Sequence, residues 1–125
     1  MKSFLTIGAI SGALAVLFGA FGARLLKKLL APDMLEVYKT GVQYQFYHTF
    51  ALLVTGILMK FHPTKTLKWS GYLFIAGITI FSGLLYLLAI TGIKALGIIV
   101  PIGGLTLVAA WICLFVHILK SRSLS

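Results

Sequence analysis

Four long stretches without a charged residue constrain this chain more than any other feature. They run from Ser3 to Ala23, from Thr40 to Met59, from Trp69 to Ile93 and from Ala95 to Leu119. A helix needs about 20 apolar residues to cross a hydrocarbon core of about 30 Å, and each stretch meets that length. Their apolar character is continuous rather than alternating, which disfavours a strand barrel. In lipid the backbone polar groups must be satisfied within the segment, so helices remain. The expected fold is all-α: an integral, multi-pass bundle of four transmembrane helices forming a single domain over residues 1–125. The predicted spans are about 4–23, 42–60, 68–90 and 98–120.

Composition agrees with this reading. Only 10% of the residues are charged and 60% are hydrophobic, against about 25% charged in soluble domains. A secretory signal peptide is the rival reading of the first stretch, because Lys2 precedes it and Ala20-Phe21-Gly22 resembles a cleavage site. The stretch exceeds a typical apolar signal region of about 7–15 residues, so a retained helix is expected. The net charge of +9 comes from eleven Lys and Arg against two acidic residues, Asp33 and Glu36. These charges cluster at span ends, which points to anionic headgroups and not to nucleic acid. Cys113 is the single cysteine, so neither an internal disulfide nor a cysteine metal site can form.

Between the first two spans lies "ARLLKKLLAPDMLEVYKT". Pro32 breaks a helix there, and Asp33 with Glu36 three residues on can cap a second one. Two short amphipathic segments on the membrane surface are expected, with Arg24, Lys27 and Lys28 contacting headgroups. "FHPTKT" is a loop between the second and third spans. Pro101 falls in or near the first turn of the fourth, where its missing N–H costs little. Lys2, Lys60, Lys65, Lys68, Lys120 and Arg122 mark one face, and Arg24, Lys27, Lys28, Lys39 and Lys94 the other. That slight excess places both termini in the cytoplasm.

Each span carries a stripe of small or polar residues at helical spacing. The stripes are Gly8, Gly12, Ala15, Gly19 and Gly22; Gly41, Tyr44, His48, Ala51 and Thr55; Tyr72, Ala76, Thr79, Gly83 and Tyr86; and Gly103, Thr106, Ala110, Cys113 and His117. Burying leucine gains little in lipid, so small residues permit close contact and polar ones bond across helices. Gly8, Gly12, Gly19, Gly22, Gly83, Gly103 and Gly104 are the expected packing positions. Tyr44, Gln45, His48, Thr79, Tyr86 and His117 are the candidate polar interior or ligand site.

His48 follows Tyr44 by one turn. Intramembrane ionisable groups are functional candidates by default, and a bonded structural histidine is the alternative. A haem held by His48 and His117 is disfavoured, because their positions relative to Lys60 and Lys120 differ in depth by on the order of 13 Å. No carboxylate lies in any span, which argues against a proton-coupled transporter. There is no phosphate loop, zinc spacing or hydrolytic set. No catalytic residue, cofactor or metal site is assigned.

"GAFGAR" (Gly19–Arg24), "VQYQFYH" (Val42–His48), "FSGLLYLLAITG" (Phe81–Gly92) and "LGIIVPIGG" (Leu96–Gly104) occur in that order. Together they resemble the YgdD/YwdK family of small bacterial membrane proteins, the domain of unknown function 423 family, over nearly the whole chain. The resemblance implies a four-span protein of the bacterial inner (cell) membrane with no established activity. The family pattern usually reads "GAFGAH", whereas Arg24 stands in the last place here. The expected function is a non-enzymatic accessory, assembly or lipid-organising component. The alternative is a lipid- or small-molecule-binding protein, or a small oligomeric channel, using the polar interior around His48. Expected partners are membrane lipids, with a second copy or another membrane protein, and no nucleic acid.

Overall fold

The computed structural model describes residues 2–121, and all of its regular structure is helical. Arg122 and the side chain of Lys2, both used in the charge count, lie outside the described residues. Helix α1 (Lys2–Val16) passes through a π-helical segment (Leu17–Gly22) into the short α2 (Ala23–Leu26). Helix α3 spans Pro32–Phe61. Helix α4 (Lys65–Gly77) continues through a second π segment (Ile78–Ser82) into α5 (Gly83–Thr91), and α6 covers Leu96–Lys120. Three stretches, Ser3–Leu26, Lys65–Thr91 and Leu96–Lys120, are long and apolar enough to cross a membrane by length and composition.

The expected surface segments need correction. Residues 32–40 do not form a separate surface helix. They are the opening turns of α3, which runs unbroken for 30 residues. Pro32 occupies the start of that helix, where no amide is needed. It therefore begins α3 instead of interrupting it. Ala31 is the N-cap, in extended conformation and without a side-chain cap bond, so Asp33 lies in the first turn and caps nothing. Helix α3 is not among the three stretches that qualify as spans, because even its apolar part opens on Gln43, Tyr44, Gln45, Tyr47 and His48.

Two other ends obey simple rules. Thr64, in the expected loop, caps α4 by accepting from the Leu67 amide at 3.1 Å. Gly92 ends α5 with φ of 71°, a left-handed conformation that glycine adopts freely. Helix α6 starts earlier than expected, so Pro101 lies inside it.

Helix α1 packs antiparallel along α3 through its glycines. A methyl group on Gly8 would come within 2.7 Å of Leu53, on Gly12 within 3.5 Å of Thr49, and on Gly19 within 3.0 Å of Val42; one on Gly22 would meet the Tyr38 hydroxyl. From Gly8 to Gly19, in the π segment that continues α1, each step is matched by an equal step back along α3. Glycine is what allows the two backbones to approach this closely. Helices α4 and α6 pair in the same way. Gly77 faces Leu107, Gly103 faces the backbone of Phe81, and the Ser70 hydroxyl donates to the Ala110 carbonyl at 2.9 Å. The core between these pairs includes Phe4, Leu52, Leu67, Phe74, Leu107 and Leu114.

The expected stripe of the third span is out of phase. Tyr72 and Thr79 are exposed, while Ser70, Gly71, Phe74, Gly77, Ser82 and Leu85 are buried. In α4, ahead of the π segment, the buried side runs through Ser70, Gly71, Phe74 and Gly77 and leaves Tyr72 out. Beyond Gly77 the wider turn of the π segment inserts one extra residue and places buried Ser82 five positions on. Gly83 does not serve the expected packing role either, since a methyl group there would meet nothing within 4 Å.

Candidate functional site

The first π segment brings Phe18 to a junction of three helices. Its carbonyl accepts the Ala23 amide of the π turn and also the Tyr38 hydroxyl, at 2.6 Å. Its ring meets Tyr86 edge-on at 5.3 Å. The second π segment turns Ser82 toward α3, where its hydroxyl donates to the Gly41 carbonyl at 2.7 Å. Both departures from regular helix are thus held by bonds to α3.

Between these two irregular helices lies a groove of about 280 Å³. Ile7, Ile10 and Leu14 of α1 form one wall, and Ile75, Ile78 and Gly83 form the other. Phe18 and Tyr86, with ring centroids 5.3 Å apart, bound one end. The floor is α3, through Gln45 and Leu52. From Ile7 to Phe18 the groove extends about 16 Å along the axis at 1.5 Å per residue, roughly half of a bilayer's hydrocarbon thickness.

A bonded polar set lies on that floor. Gln45, 5% exposed, donates through Nε2 to the Ser11 carbonyl at 2.8 Å and reaches the Ser11 hydroxyl at 3.4 Å. Its Oε1 accepts from the Tyr86 hydroxyl at 2.5 Å. The Ser11 and Thr49 hydroxyls share a bond of 2.7 Å. One glutamine therefore ties α1, α3 and α5 together, and the amide orientation follows from its partners. Every member has a partner, which is what makes a polar set tolerable in an apolar interior.

The six residues expected in one polar interior divide among three places. Gln45, Thr79 and Tyr86 line the groove. Thr79 is exposed, with its hydroxyl bonded back to the Ile75 carbonyl at 2.8 Å. His48 lies elsewhere on α3. Its Nδ1 donates to the Tyr44 carbonyl at 2.7 Å, and its ring meets Phe74 and Trp111. Tyr44 stacks on His48 and packs on Phe81, yet remains 38% exposed. His117 stands in the last turn of α6, where its Nδ1 is 2.9 Å from the hydroxyl of Thr64 at the start of α4. Arg24, Lys27 and Lys28 are all exposed. Among the described residues no three of His, Cys, Asp and Glu come together in a metal-holding group.

Sequence reasoning overlooked Ser11, Thr49 and Ser82. Ser11 carried the clearest signal, as the lone hydroxyl in the middle of a glycine- and alanine-rich helix. A buried donor or acceptor there requires a partner on a neighbouring helix.

The chain was also compared with known proteins. Residues 18–104 match the profile of a family described as a protein of unknown function, DUF423. The UPF0382 membrane protein YwdK of Bacillus subtilis strain 168 is 42% identical over 121 residues, covering 96% of this chain and 98% of the relative. The UPF0382 membrane protein SAB0533 of Staphylococcus aureus strain RF122 is 41% identical over 120 residues, with the same coverage. No solved structure matches the chain.

Proposed function

The chain belongs to the DUF423 family of membrane proteins, and on that premise we propose that it is a non-enzymatic, lipid-organising component of the bacterial inner membrane. In this reading α3 is a fourth span, and both termini face the cytoplasm. The protein works by holding a lipid chain in the groove between α1 and the α4–α5 pair, with membrane lipids as its partners.

The observation that carries this reading is the form of the groove. It is apolar along both walls, bounded at one end by the Phe18–Tyr86 pair, and floored by a polar set whose groups already bond one another. An apolar cleft of this kind takes an apolar ligand. The hydrocarbon chain of a lipid is the apolar group that a bilayer supplies in abundance. The floor offers no nucleophile paired with a base, and no carboxylate lies in the groove lining, so the cleft has the chemistry of a holder and not of a catalyst.

The test is lipid retention. Native mass spectrometry of the detergent-purified protein should find stoichiometric lipid, and filling the groove from Gly83 should release it.

A further inference from the structure

A second cavity, also of about 280 Å³, lies where α4 begins and α6 ends. We propose that it binds a phosphate group, carried by a lipid headgroup or free in solution. Its lining is His62, Pro63, Thr64, Thr66, His117, Lys120 and Ser121.

Three observations converge on an anion. The first is His117, which is 3% exposed and lines the cavity. Its Nδ1 bonds the Thr64 hydroxyl at 2.9 Å, while its Nε2 is buried and has no partner. The Thr64 oxygen accepts from the Leu67 amide, and its hydroxyl hydrogen is available to Nδ1. In that tautomer, as in the protonated imidazole, Nε2 carries a proton and is a buried donor that needs an acceptor.

The second is the start of α4. The first amides of a helix have no intrahelical acceptor, and they carry the positive end of its dipole. Thr64 occupies the Leu67 amide, and the amides of Lys65 and Thr66 precede it. Helices α3 and α6 also end here, but several of their last carbonyls are occupied. Leu58 accepts from the His62 amide, and His117 and Ile118 accept from the Ser121 amide. Helix N-termini are common sites for phosphate.

The third is charge. Lys120 lines the cavity, and Lys65 stands in the first turn of α4. The two acidic residues of the chain, Asp33 and Glu36, belong to the opening of α3, at the far end of that helix from His62. No negative side chain competes for the cations. A phosphate oxygen accepting from Nε2 of His117, with others facing the α4 amides and the Lys120 ammonium, satisfies all three.

The site is separate from the groove and does not depend on its occupant. The test uses full-length protein purified in a maltoside detergent. One arm titrates inorganic phosphate and follows it by phosphorus NMR and thermal unfolding. The other places the protein in phosphatidylcholine nanodiscs with and without phosphatidic acid, and reads bound lipid by native mass spectrometry.

Saturable binding in either arm, weakened at least about tenfold by His62→Gln with Lys120→Gln, supports the proposal and identifies the source. Those two residues lie outside the packed core, so the double variant should unfold at an unchanged temperature. His117→Gln should weaken binding similarly, and Gly83→Leu should leave it intact. Absence of saturable binding in both arms overturns the proposal. So does a folded double variant that binds as tightly as the unaltered protein.

Discussion

The Tyr86 hydroxyl donates to Gln45 Oε1 across 2.5 Å, bonding α5 to α3 beneath the groove. Because Gln45 also donates to Ser11 on α1, this contact is the middle link of a chain through three helices. Tyr86→Phe leaves the Gln45 oxygen buried without a partner. Within a membrane protein such a loss costs about 1–2 kcal/mol. Denaturant unfolding of Tyr86→Phe, Gln45→Leu and the double variant should show coupling between the two sites. Strictly additive losses would mean that the bond contributes nothing.

Glycines that look alike in the sequence should behave in opposite ways. A methyl group on Gly103 would lie 2.6 Å from the backbone nitrogen of Phe81, which cannot move aside as a flexible side chain can. Gly103→Ala should therefore destabilise the α4–α6 pair by about 1–3 kcal/mol. Gly83→Ala meets open space and should gain up to about 1 kcal/mol from helix propensity. Thermal unfolding in one detergent compares them directly, and equal effects would contradict the packing described.

His48 is held by its own helix and by aromatic rings. His48→Ala should lower stability by about 1–3 kcal/mol through lost packing, while lipid retained in the groove stays unchanged. A well-folded variant that loses the lipid would move the functional site from the groove to His48.

The proposed four-span topology places Thr66 and Lys94 on opposite sides of the membrane. In a Cys113→Ala background, single cysteines at these positions should react with an impermeant maleimide from opposite faces of oriented vesicles. Labelling of both from one face would refute the expected crossing of the α4–α5 pair.

How much of this was legible in the sequence varies from helix to helix, for physical reasons. Gly8, Gly12, Gly19 and Gly22 face α3 because α1 presents one side to one neighbour, and helical spacing alone reveals such a side. The third span defeats the same reading: the buried side of α4 runs through Ser70, Gly71, Phe74 and Gly77 instead of Tyr72, and the π segment Ile78–Ser82 then shifts the phase between Gly77 and Ser82. Nothing in the local periodicity announces that shift. Helix α3 defeats it differently, since it is buried on more than one side. Gln45 and His48, three residues apart, consequently serve different surroundings, and a single stripe cannot represent both. Pro32 was legible as a boundary, but its role as the first residue of a helix depends on the residues C-terminal to it. The groove joins α1 to α4 and α5, and no local pattern encodes which helices adjoin.

The most direct test of the central claim is lipid retention by Gly83→Leu. Gly83 lines the groove, and a methyl group added there meets nothing within 4 Å, so leucine is the substitution expected to fill the cleft while sparing the close glycine contacts of the helix pairs. Native mass spectrometry should find stoichiometric lipid on the unaltered protein and little on Gly83→Leu, with the unfolding temperature preserved. Equal lipid retention by a folded Gly83→Leu variant would contradict the account.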